Sequence, residues 1–448
     1  MSRLNSVVPF ASLFVILLLA PSNVRSDDRE DKSTQVLNDL GRKAIRWFQD
    51  NRNPKSGLIR DRGPNWKGRG TPSDMASIAS AGYYLSLLPE AVRLGQITKP
   101  DAERHAIQLL QFVTTEMHDK DGLLFHFIHW ETGKRWDQSE ISVLDSAIFF
   151  NGCIVSAEAF GGRVAELANH LLDRVDWGKF LTVHPQTKKS VLSLGWRPES
   201  GGLIGAIEFR SSEMAMPCFL AIGSRTHPID AECWYNVPVS YRNVCGYKIL
   251  NAEQPLFTSY YGLGWHNLKG KIDRTGVDLE ANARLAALAN RAFCRQVAVK
   301  FRTYQQSEGF WWGISAGDAP TGYVGPGPVV GQSDGTVWPT AALASIPWVS
   351  DELREDLSRW QASKSWGRIH GEYGLASFNL DKDWIGADVI GIDLGSFAVS
   401  FANYRNETVR SLWMQHPVAV NALAKLEFKA VAAETPSRLP RKLTGAAR

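Results

Sequence analysis

The feature that most constrains this chain is a succession of helix-length segments, about a dozen in all, with no linker between them. In the first segment Leu37, Leu40, Ala44 and Trp47 fall on one stripe at helical spacing. Pro100 suits the first turn of another segment. The predicted helices cover residues 34–48, 71–88, 102–117, 140–160, 163–180, 211–223, 280–297, 351–361, 396–405 and 408–428.

The segments between the helices predict one domain rather than several. Short strand-like pieces occur at 123–130 and 190–196, and a long Gly- and Pro-rich loop covers 313–335. The length of 448 residues would suit about three domains, but no charge-rich or Ser/Gly-rich linker divides it. Helices joined by hairpins and long loops favour one helical toroid, in which functional residues collect at the N-terminal ends of the inner helices.

The N-terminus predicts export. Residues 1–26 combine Arg3, an apolar run over 7–20, Pro21 and the cleavage-site pattern of residues 24–26, which is typical of a signal peptide. A retained N-terminal anchor is the alternative. We expect a periplasmic or secreted protein that starts near Asp27 and has no later membrane span. The mature chain would form a domain over 27–430 and a disordered tail over 431–448.

Charge and cysteine usage exclude several protein classes. The net charge of +4 is spread along the chain, so nucleic acid is not an expected partner. The five cysteines match no metal-binding or redox spacing. A Cys233–Cys245 bridge is one alternative, and burial of most of the five as small hydrophobes is the favoured one.

Aromatic residues are unusually frequent, with 16 Trp, 11 Tyr and 20 Phe. Their flat apolar faces carry a polar edge in Trp and Tyr, which suits the stacking of sugar rings. The alternative is that the surplus fills a large core.

Several catalytic motifs fail for lack of context. Residues 313–317 (GISAG) match a nucleophile elbow but lie in a loop instead of between a strand and a helix. Residues 325–327 (GPG) open no helix, so a dinucleotide site is not expected. His126 and His129 would point to opposite faces of a strand, and hydrogen-bonded cleft histidines are favoured over a zinc site. We therefore expect neither a metal nor another cofactor.

Isolated acids in apolar surroundings are the remaining candidates for chemistry. Glu140, Asp145 and Glu213 occur at the starts of apolar helical segments, where capping or ion pairing is the competing explanation. Asp388 and Asp393 lie among small and apolar residues that indicate a cleft. Paired carboxyl groups without a cofactor fit hydrolysis of a glycosidic bond, which needs one acid and a second carboxylate as base or nucleophile.

Six sequence strings resemble the glucoamylase-like domain family, which includes bacterial endo-β-1,2-glucanases of glycoside hydrolase family 144. They occur in the family order between about residues 139 and 428. The strings are residues 224–229 (SRTHPI), 231–234 (AECW), 255–258 (PLFT), 312–323 (WGISAGDAPTGY), 334–343 (DGTVWPTAAL) and 391–395 (GIDLG).

The resemblance implies an all-α (α/α)6 barrel with short β-hairpins and long loops at the cavity mouth. It also implies an inverting, endo-acting glycoside hydrolase of β-1,2-glucan. By position in the family motifs, Glu213 would be the general acid, Asp145 and then Glu140 further essential acids, and Asp393 the base. The candidate substrate-binding residues are Trp234, Trp311, Trp312, Asp334, Trp338, Trp384 and Asp388.

Two alternatives stay open. One is a hydrolase of another polysaccharide built on the same barrel, and the other is a catalytically silent glycan-binding protein. Convergence of Asp145, Glu213 and Asp393 on one cavity would favour a hydrolase. We expect the protein to be a monomer whose partner is an oligo- or polysaccharide.

Overall fold

The structure is a computed structural model that describes residues 32–70 and 72–431 of the 448. The predicted signal peptide and residues 432–448 of the predicted tail lie outside the described residues. Within them, fourteen α-helices form most of the fold. In chain order, α1 to α14 are Lys32–Asp50, Ile78–Arg93, Lys99–Glu116, Val143–Phe160, Gly162–Asp173, Ser212–Gly223, Glu232–Tyr235, Leu279–Val297, Pro339–Ala344, Ser350–Ala362, Trp366–Ile369, Gly391–Asn406, Thr408–Trp413 and Pro417–Lys425.

The helices form two layers around a ring. In the inner layer α2 packs on α4, α4 on α6, and α12 on both α2 and α9. Two 3₁₀ turns, Leu256–Ser259 and Gly262–Gly264, pack on α6 and complete this layer. Helices α1, α3, α5, α8, α10 and α14 lie outside it. The predicted all-α toroid is confirmed.

The sequence explains which helices lie inside. Inner helices α4, α6 and α9 are apolar on every side and almost wholly buried. Outer helix α1 buries only one stripe, which includes Leu37, Leu40 and Ala44. Helices α2 and α4 approach closely because Gly82 and Gly152 face each other. A Cβ atom at Gly152 would lie 2.1 Å from the carbonyl oxygen of Gly82.

Strands occur as short pairs, and several of them frame one end of the ring. Among these, β1 pairs with β18, β2 with β5, β6 with β9, and β14 with β15, all antiparallel. In chain order, β1 to β19 are Arg62–Pro64, Met75–Ser77, Asp119–Lys120, Leu123–Leu124, Phe127–His129, Ile141–Ser142, Leu181–Val183, Ser190–Leu192, Gly195–Arg197, Gly202–Ile204, Tyr241–Val244, Tyr247–Leu250, Lys271–Ile272, Gly317–Ala319, Gly322–Val324, Phe378–Asn379, Trp384–Ile385, Asp388–Ile390 and Lys429–Ala430.

Several predicted helix boundaries were wrong, and the reasons are local. Helices predicted from residues 71 and 140 begin at Ile78 and Val143, because the preceding residues pair as strands β2 and β6. Ser77 and Ser142 cap these two helices. The helix predicted over 163–180 ends at Asp173, and the one predicted over 408–428 is divided into α13 and α14, with Pro417 starting the second.

Two further expectations concern the membrane and the thiols. Helix Val143–Phe160 is long and apolar enough to cross a membrane. The expectation that no segment after the N-terminus has this length and composition was therefore wrong. Yet 78% of that helix is buried inside the protein, as a core helix would be. All five cysteines are unpaired, and four of them are buried, which confirms the favoured alternative over a Cys233–Cys245 bridge.

Candidate active site

A cavity of about 520 Å³ opens at the end of the ring where the inner helices begin. Asp145 enters it from the first turn of α4 and Glu213 from the first turn of α6. Ser77, the cap of α2, also lines it. The rest of its lining is Asp61, Arg62, Met75, His126, Phe127, Leu144, Ile148, Phe257, Tyr261, Tyr323, Ile390 and Ile392.

Glu213 is a carboxyl group held in its neutral form. Ser211 caps α6 by accepting a hydrogen bond from the backbone N–H of Met214, so the Glu213 side chain is not needed as the cap. Within the described part of the chain it makes no side-chain hydrogen bond or ion pair. Burial, and then the charge of Asp145, raise the pKa of Glu213 to about 8. Glu213 therefore keeps its proton at neutral pH.

Asp145 and Glu140 share one histidine. His126 Nδ1 lies 3.0 Å from Glu140 Oε1, and His126 Nε2 lies 3.4 Å from Asp145 Oδ1. Ser142 Oγ donates to Asp145 Oδ2 at 2.6 Å. Burial lowers the pKa of His126, but Asp145, Glu140 and Asp61 outweigh it and the net shift is upward. Glu140 lies outside the cavity lining and acts on Asp145 through His126.

A second ion-pair group joins Arg62 of strand β1 to its neighbour Asp61 and to Asp318 of strand β14. Arg62 Nη1 donates to both carboxylate oxygens of Asp318 at 3.0 Å, and Arg62 Nε donates to Asp61 Oδ2 at 2.9 Å. Asp61 is buried, so burial raises its pKa and Arg62 opposes the rise. The Arg62 guanidinium thus holds the carboxylates of Asp61 and Asp318, which lie 257 residues apart in the sequence.

Asp393, in the first turn of α12, lies next to the main cavity. It lines two recesses of about 10 Å³ each, which share Ile390, Phe257 and Tyr261 with that cavity. Burial, then Asp318 and Asp61, raise the pKa of Asp393 to about 8, and Arg62 opposes them. Asp145, Glu213 and Asp393 therefore converge on one site.

Asp388 also belongs to this site. It lines one recess together with Asp393 and Asp318, and its Oδ1 is buried without a hydrogen-bond partner among the described residues. Burial raises its pKa, although Arg62 opposes that shift. Of the predicted substrate-binding residues, Asp388 alone is found at the cavity or its recesses.

Four predicted substrate-binding residues are in the core instead. Trp234, Trp311, Trp312 and Trp338 are at most 1% exposed, and each indole N–H donates to a protein oxygen. A buried indole has no free face for a sugar, so the prediction that they bind substrate was wrong. The Trp surplus fills the core here, which was the alternative considered for the composition.

The last two predicted residues lie away from the cavity. Asp334 accepts hydrogen bonds from Lys382 Nζ at 2.7 Å and from the backbone N–H of Thr336 at 2.9 Å, in a separate groove. These bonds lower its pKa against the effect of burial. Trp384, half-buried in strand β17, lines neither the cavity nor its recesses.

Sequence reasoning missed most of the cavity walls. Asp61 and Arg62 lie outside the strings that carry the family resemblance, and the pairing of β1 with β18 helps to bring them to the site. Tyr323 and Phe257 lie inside those strings and went unassigned. Tyr323 is 57% exposed at the cavity mouth, on the hairpin of β14 and β15. Exposure of a large aromatic beside a cavity is the signal that identifies it.

The acids of this site are not arranged as metal ligands. Across residues 32–70 and 72–431, no group of three or more His, Cys, Asp or Glu side chains is placed to hold a metal ion. The arrangement is suited to proton transfer, because Glu213 and Asp393, whose pKa values are raised, lie near carboxyl groups that contact Arg62 and His126.

Comparison with known proteins finds one matching family model. The family model Glycoamylase, described as "Putative glucoamylase", matches residues 209–417. This part of the chain is thus similar to a glucoamylase-like domain. The chain is 24% identical over 436 residues to an exo β-1,2-glucooligosaccharide sophorohydrolase (non-reducing end) of Parabacteroides distasonis, a match that covers 88% of this chain.

Solved structures show the same fold. An endo-β-1,2-glucanase from Chitinophaga pinensis, crystallised with sophorotriose and glucose, superimposes with a TM-score of 0.79 at 22% identity. That match covers 89% of this chain and 99% of the other. A β-1,2-glucanase from Parabacteroides distasonis gives 0.78 at 20% identity and covers 89% of this chain. The chain spans 58% of the length of the curated sophorohydrolase and 60% of this second structure.

Proposed function

We propose that the protein is an inverting glycoside hydrolase that cleaves β-1,2-glucan. The observation that carries the proposal is Glu213, a carboxyl group with a pKa of about 8 that faces a cavity of about 520 Å³ and has no structural partner among the described residues. A carboxyl group kept neutral at neutral pH is what protonation of a glycosidic oxygen requires.

Two carboxyl groups divide the reaction. Glu213 donates its proton to the glycosidic oxygen as the bond from C1 to that oxygen breaks. Asp393, ionised, takes a proton from the water that attacks C1 from the opposite face, so the product has the inverted configuration. Each recess beside Asp393 has about the volume that a single water needs. The site then returns to its starting state by exchanging one proton with solvent at each group.

The other residues of the site set charge and position. Asp145 raises the pKa of Glu213, and Ser142 and His126 hold Asp145 in place. Arg62 limits the pKa rise at Asp393 and secures Asp61 and Asp318. Tyr323 and Phe257 offer aromatic surface to a sugar ring.

The names of the relatives supply the linkage. The curated relative is a sophorohydrolase of β-1,2-glucooligosaccharides, and two of the superimposed structures are β-1,2-glucanases. A silent glycan-binding protein would have no need of a carboxyl group with a raised pKa, since that state lowers stability at neutral pH. The acid cluster therefore favours a hydrolase over a binder.

Reducing-end release from β-1,2-glucan tests the proposal. The wild type and Glu208→Gln, a change at an exposed surface carboxylate, should release sugar at equal rates. Glu213→Gln should lose activity by at least about a hundredfold while still binding the glucan. A mixed oligosaccharide series would indicate internal cleavage, and sophorose alone would indicate release from a chain end. Activity on β-1,3- or β-1,4-glucan only would overturn the linkage, and equal activity of Glu213→Gln would overturn the mechanism.

We also propose that the protein is exported and acts as a monomer. The support for export is the signal-peptide pattern of residues 1–26. N-terminal sequencing of protein recovered from the periplasm or medium should begin near Asp27. Recovery of the full N-terminus from a membrane fraction would instead indicate a retained anchor. Light scattering should give the mass of one chain.

A further inference from the structure

Tyr83 lies between the two inner helices that carry Asp145 and Asp393. It belongs to α2, whose Gly82 packs directly on the backbone of Ile148 in α4. On the other side its ring packs on Gly395 of α12, where a Cβ atom would lie only 2.3 Å from Tyr83 Cγ. The ring is 1% exposed and does not line the cavity. Tyr83 is therefore fixed directly behind the site.

The hydroxyl group of Tyr83 is buried and has no hydrogen-bond partner in the part of the chain that the structure describes. The next residue provides the contrast. Tyr84 is equally buried, yet its hydroxyl lies 2.7 Å from His105 Nδ1. Since a buried hydroxyl without a partner is costly, a group that bonds to it in another protonation state of the site is expected.

Three carboxyl groups lie within electrostatic reach of that hydroxyl. Burial raises the pKa of Tyr83 well above its usual value, and Tyr260, then Asp393, Glu213 and Asp145, raise it further. Tyr83 thus stays a phenol, and its O–H can donate a hydrogen bond to a carboxylate.

Only one of these carboxyl groups needs such a donor. Asp145 already accepts from Ser142 and faces His126. Glu213 works in its protonated form. Asp393 must be ionised to act as a base, and its side chain accepts no hydrogen bond from a described residue.

We propose that Tyr83 is a positioning residue whose hydroxyl donates a hydrogen bond to the Asp393 carboxylate when that group ionises. The inference rests on the proposed function, in which Asp393 is the base. A phenol fixed by α4 and α12 would orient the carboxylate toward the attacking water and favour its ionised form.

The other groups around Asp393 leave this role open. Arg62 is the cation that acts on it, and that guanidinium is already bound to Asp61 and Asp318. The hydroxyl-bearing residues Ser315, Thr340, Ser377 and Ser396 also line the recesses beside Asp393. The remaining titratable groups that face Asp393 are acids or phenols. They are Asp388 of β18, Tyr323 of β15, and Tyr260 and Tyr261 at the 3₁₀ turns.

The test compares Tyr83→Phe with the matched control Tyr84→Phe. The ratio of kcat/KM, variant to wild type, is measured on β-1,2-glucooligosaccharides from pH 5 to pH 10. Loss of the hydrogen bond should raise the pKa of Asp393 by about one unit, because a bond to a charged group is typically of that strength. The ratio for Tyr83→Phe should be about one-tenth at pH 6 and approach one at pH 10, where Asp393 is ionised in both proteins. Tyr84→Phe should give a ratio near one at pH 6 and pH 10 alike.

A purely structural effect would give a different result. It would lower kcat/KM by the same factor at all pH values, and that outcome, like a ratio of one throughout, would overturn the inference. A second measurement does not depend on activity. In carbon NMR of aspartate-labelled protein, the carboxyl signal that Asp393→Asn removes should titrate about one pH unit higher in Tyr83→Phe than in wild type. An unmoved signal would overturn the inference, whether or not the wild type is active. An inactive wild type would by itself overturn only the proposed function.

Discussion

Replacement of Glu213 by glutamine should stabilise the protein while it abolishes activity. In the unfolded chain Glu213 has a pKa of 4.5, and in the folded protein burial and Asp145 raise it to about 8. Between these values the folded state holds a proton that the unfolded state has lost, so the free energy of unfolding falls as the pH rises. At pH 7 the difference of 2.5 units, at 1.36 kcal/mol each, gives a cost of about 3 kcal/mol. Glutamine keeps the shape of the neutral acid and removes that cost.

The expected shift in melting temperature depends on pH. About 400 ordered residues give an unfolding entropy near 0.8 kcal/mol/K, so about 3 kcal/mol corresponds to a rise in Tm of up to about 4 °C at pH 7. At pH 4.5 the rise should fall below about 1 °C, because wild-type Glu213 is then protonated in the folded protein and already half protonated in the unfolded chain.

Differential scanning calorimetry of wild type, Glu213→Gln and the surface control Glu208→Gln at both pH values measures this. The control should not change Tm at either pH. A Glu213→Gln variant that melts below the wild type at pH 7, or whose gain is equal at pH 4.5 and pH 7, would refute the argument that Glu213 is held neutral by its surroundings.

Three further changes test the other parts of the site. Arg62→Gln should lower the free energy of unfolding, measured in urea, by about 3 kcal/mol, because it leaves the buried Asp61 carboxylate without its cation. Arg163→Gln, at an exposed ion pair, should change it by less than about 1 kcal/mol. Equal losses in the two variants would contradict the burial assigned to Asp61. Trp311→Ala should lower the free energy of unfolding by about 3–5 kcal/mol in the same assay and leave KM unchanged, because the Trp311 ring lies in the core against Trp360. A raised KM without loss of stability would instead support its predicted role in substrate binding. Tyr323→Ala should raise KM about tenfold and leave Tm within about 1 °C, as expected for an exposed ring that contacts substrate; an unchanged KM would remove it from the site.

Helix positions were predictable because apolar spacing and caps act locally. Ser211 before the apolar run of α6 marked that helix start correctly. Starts were misplaced where strand pairing intervened, as at Ser142, which follows a strand residue paired with a segment more than fifty residues further along the chain. No local pattern contains that information, because hydrogen bonds between distant strands decide it.

The acids of the site were predictable, but their surroundings were not. The sequence singled out Asp145, Glu213 and Asp393 by their apolar neighbours and by family motifs, and the structure brings the three together. It gave no means to separate core tryptophans from binding ones, because the position of a Trp in the sequence does not show which residues cover its ring. Arg62 was missed because its partner Asp318 lies on a distant segment.

The configuration of the first product tests the central claim, that Glu213 and Asp393 act as acid and base on a β-1,2-glucan. Proton NMR recorded within the first minutes of hydrolysis, before the reducing end equilibrates, distinguishes the two anomers. Attack by water activated by Asp393 should give the α-anomer as the initial product from this β-linked substrate. Initial release of the β-anomer would instead indicate a covalent intermediate and a carboxylate nucleophile, and it would contradict the account given for Asp393.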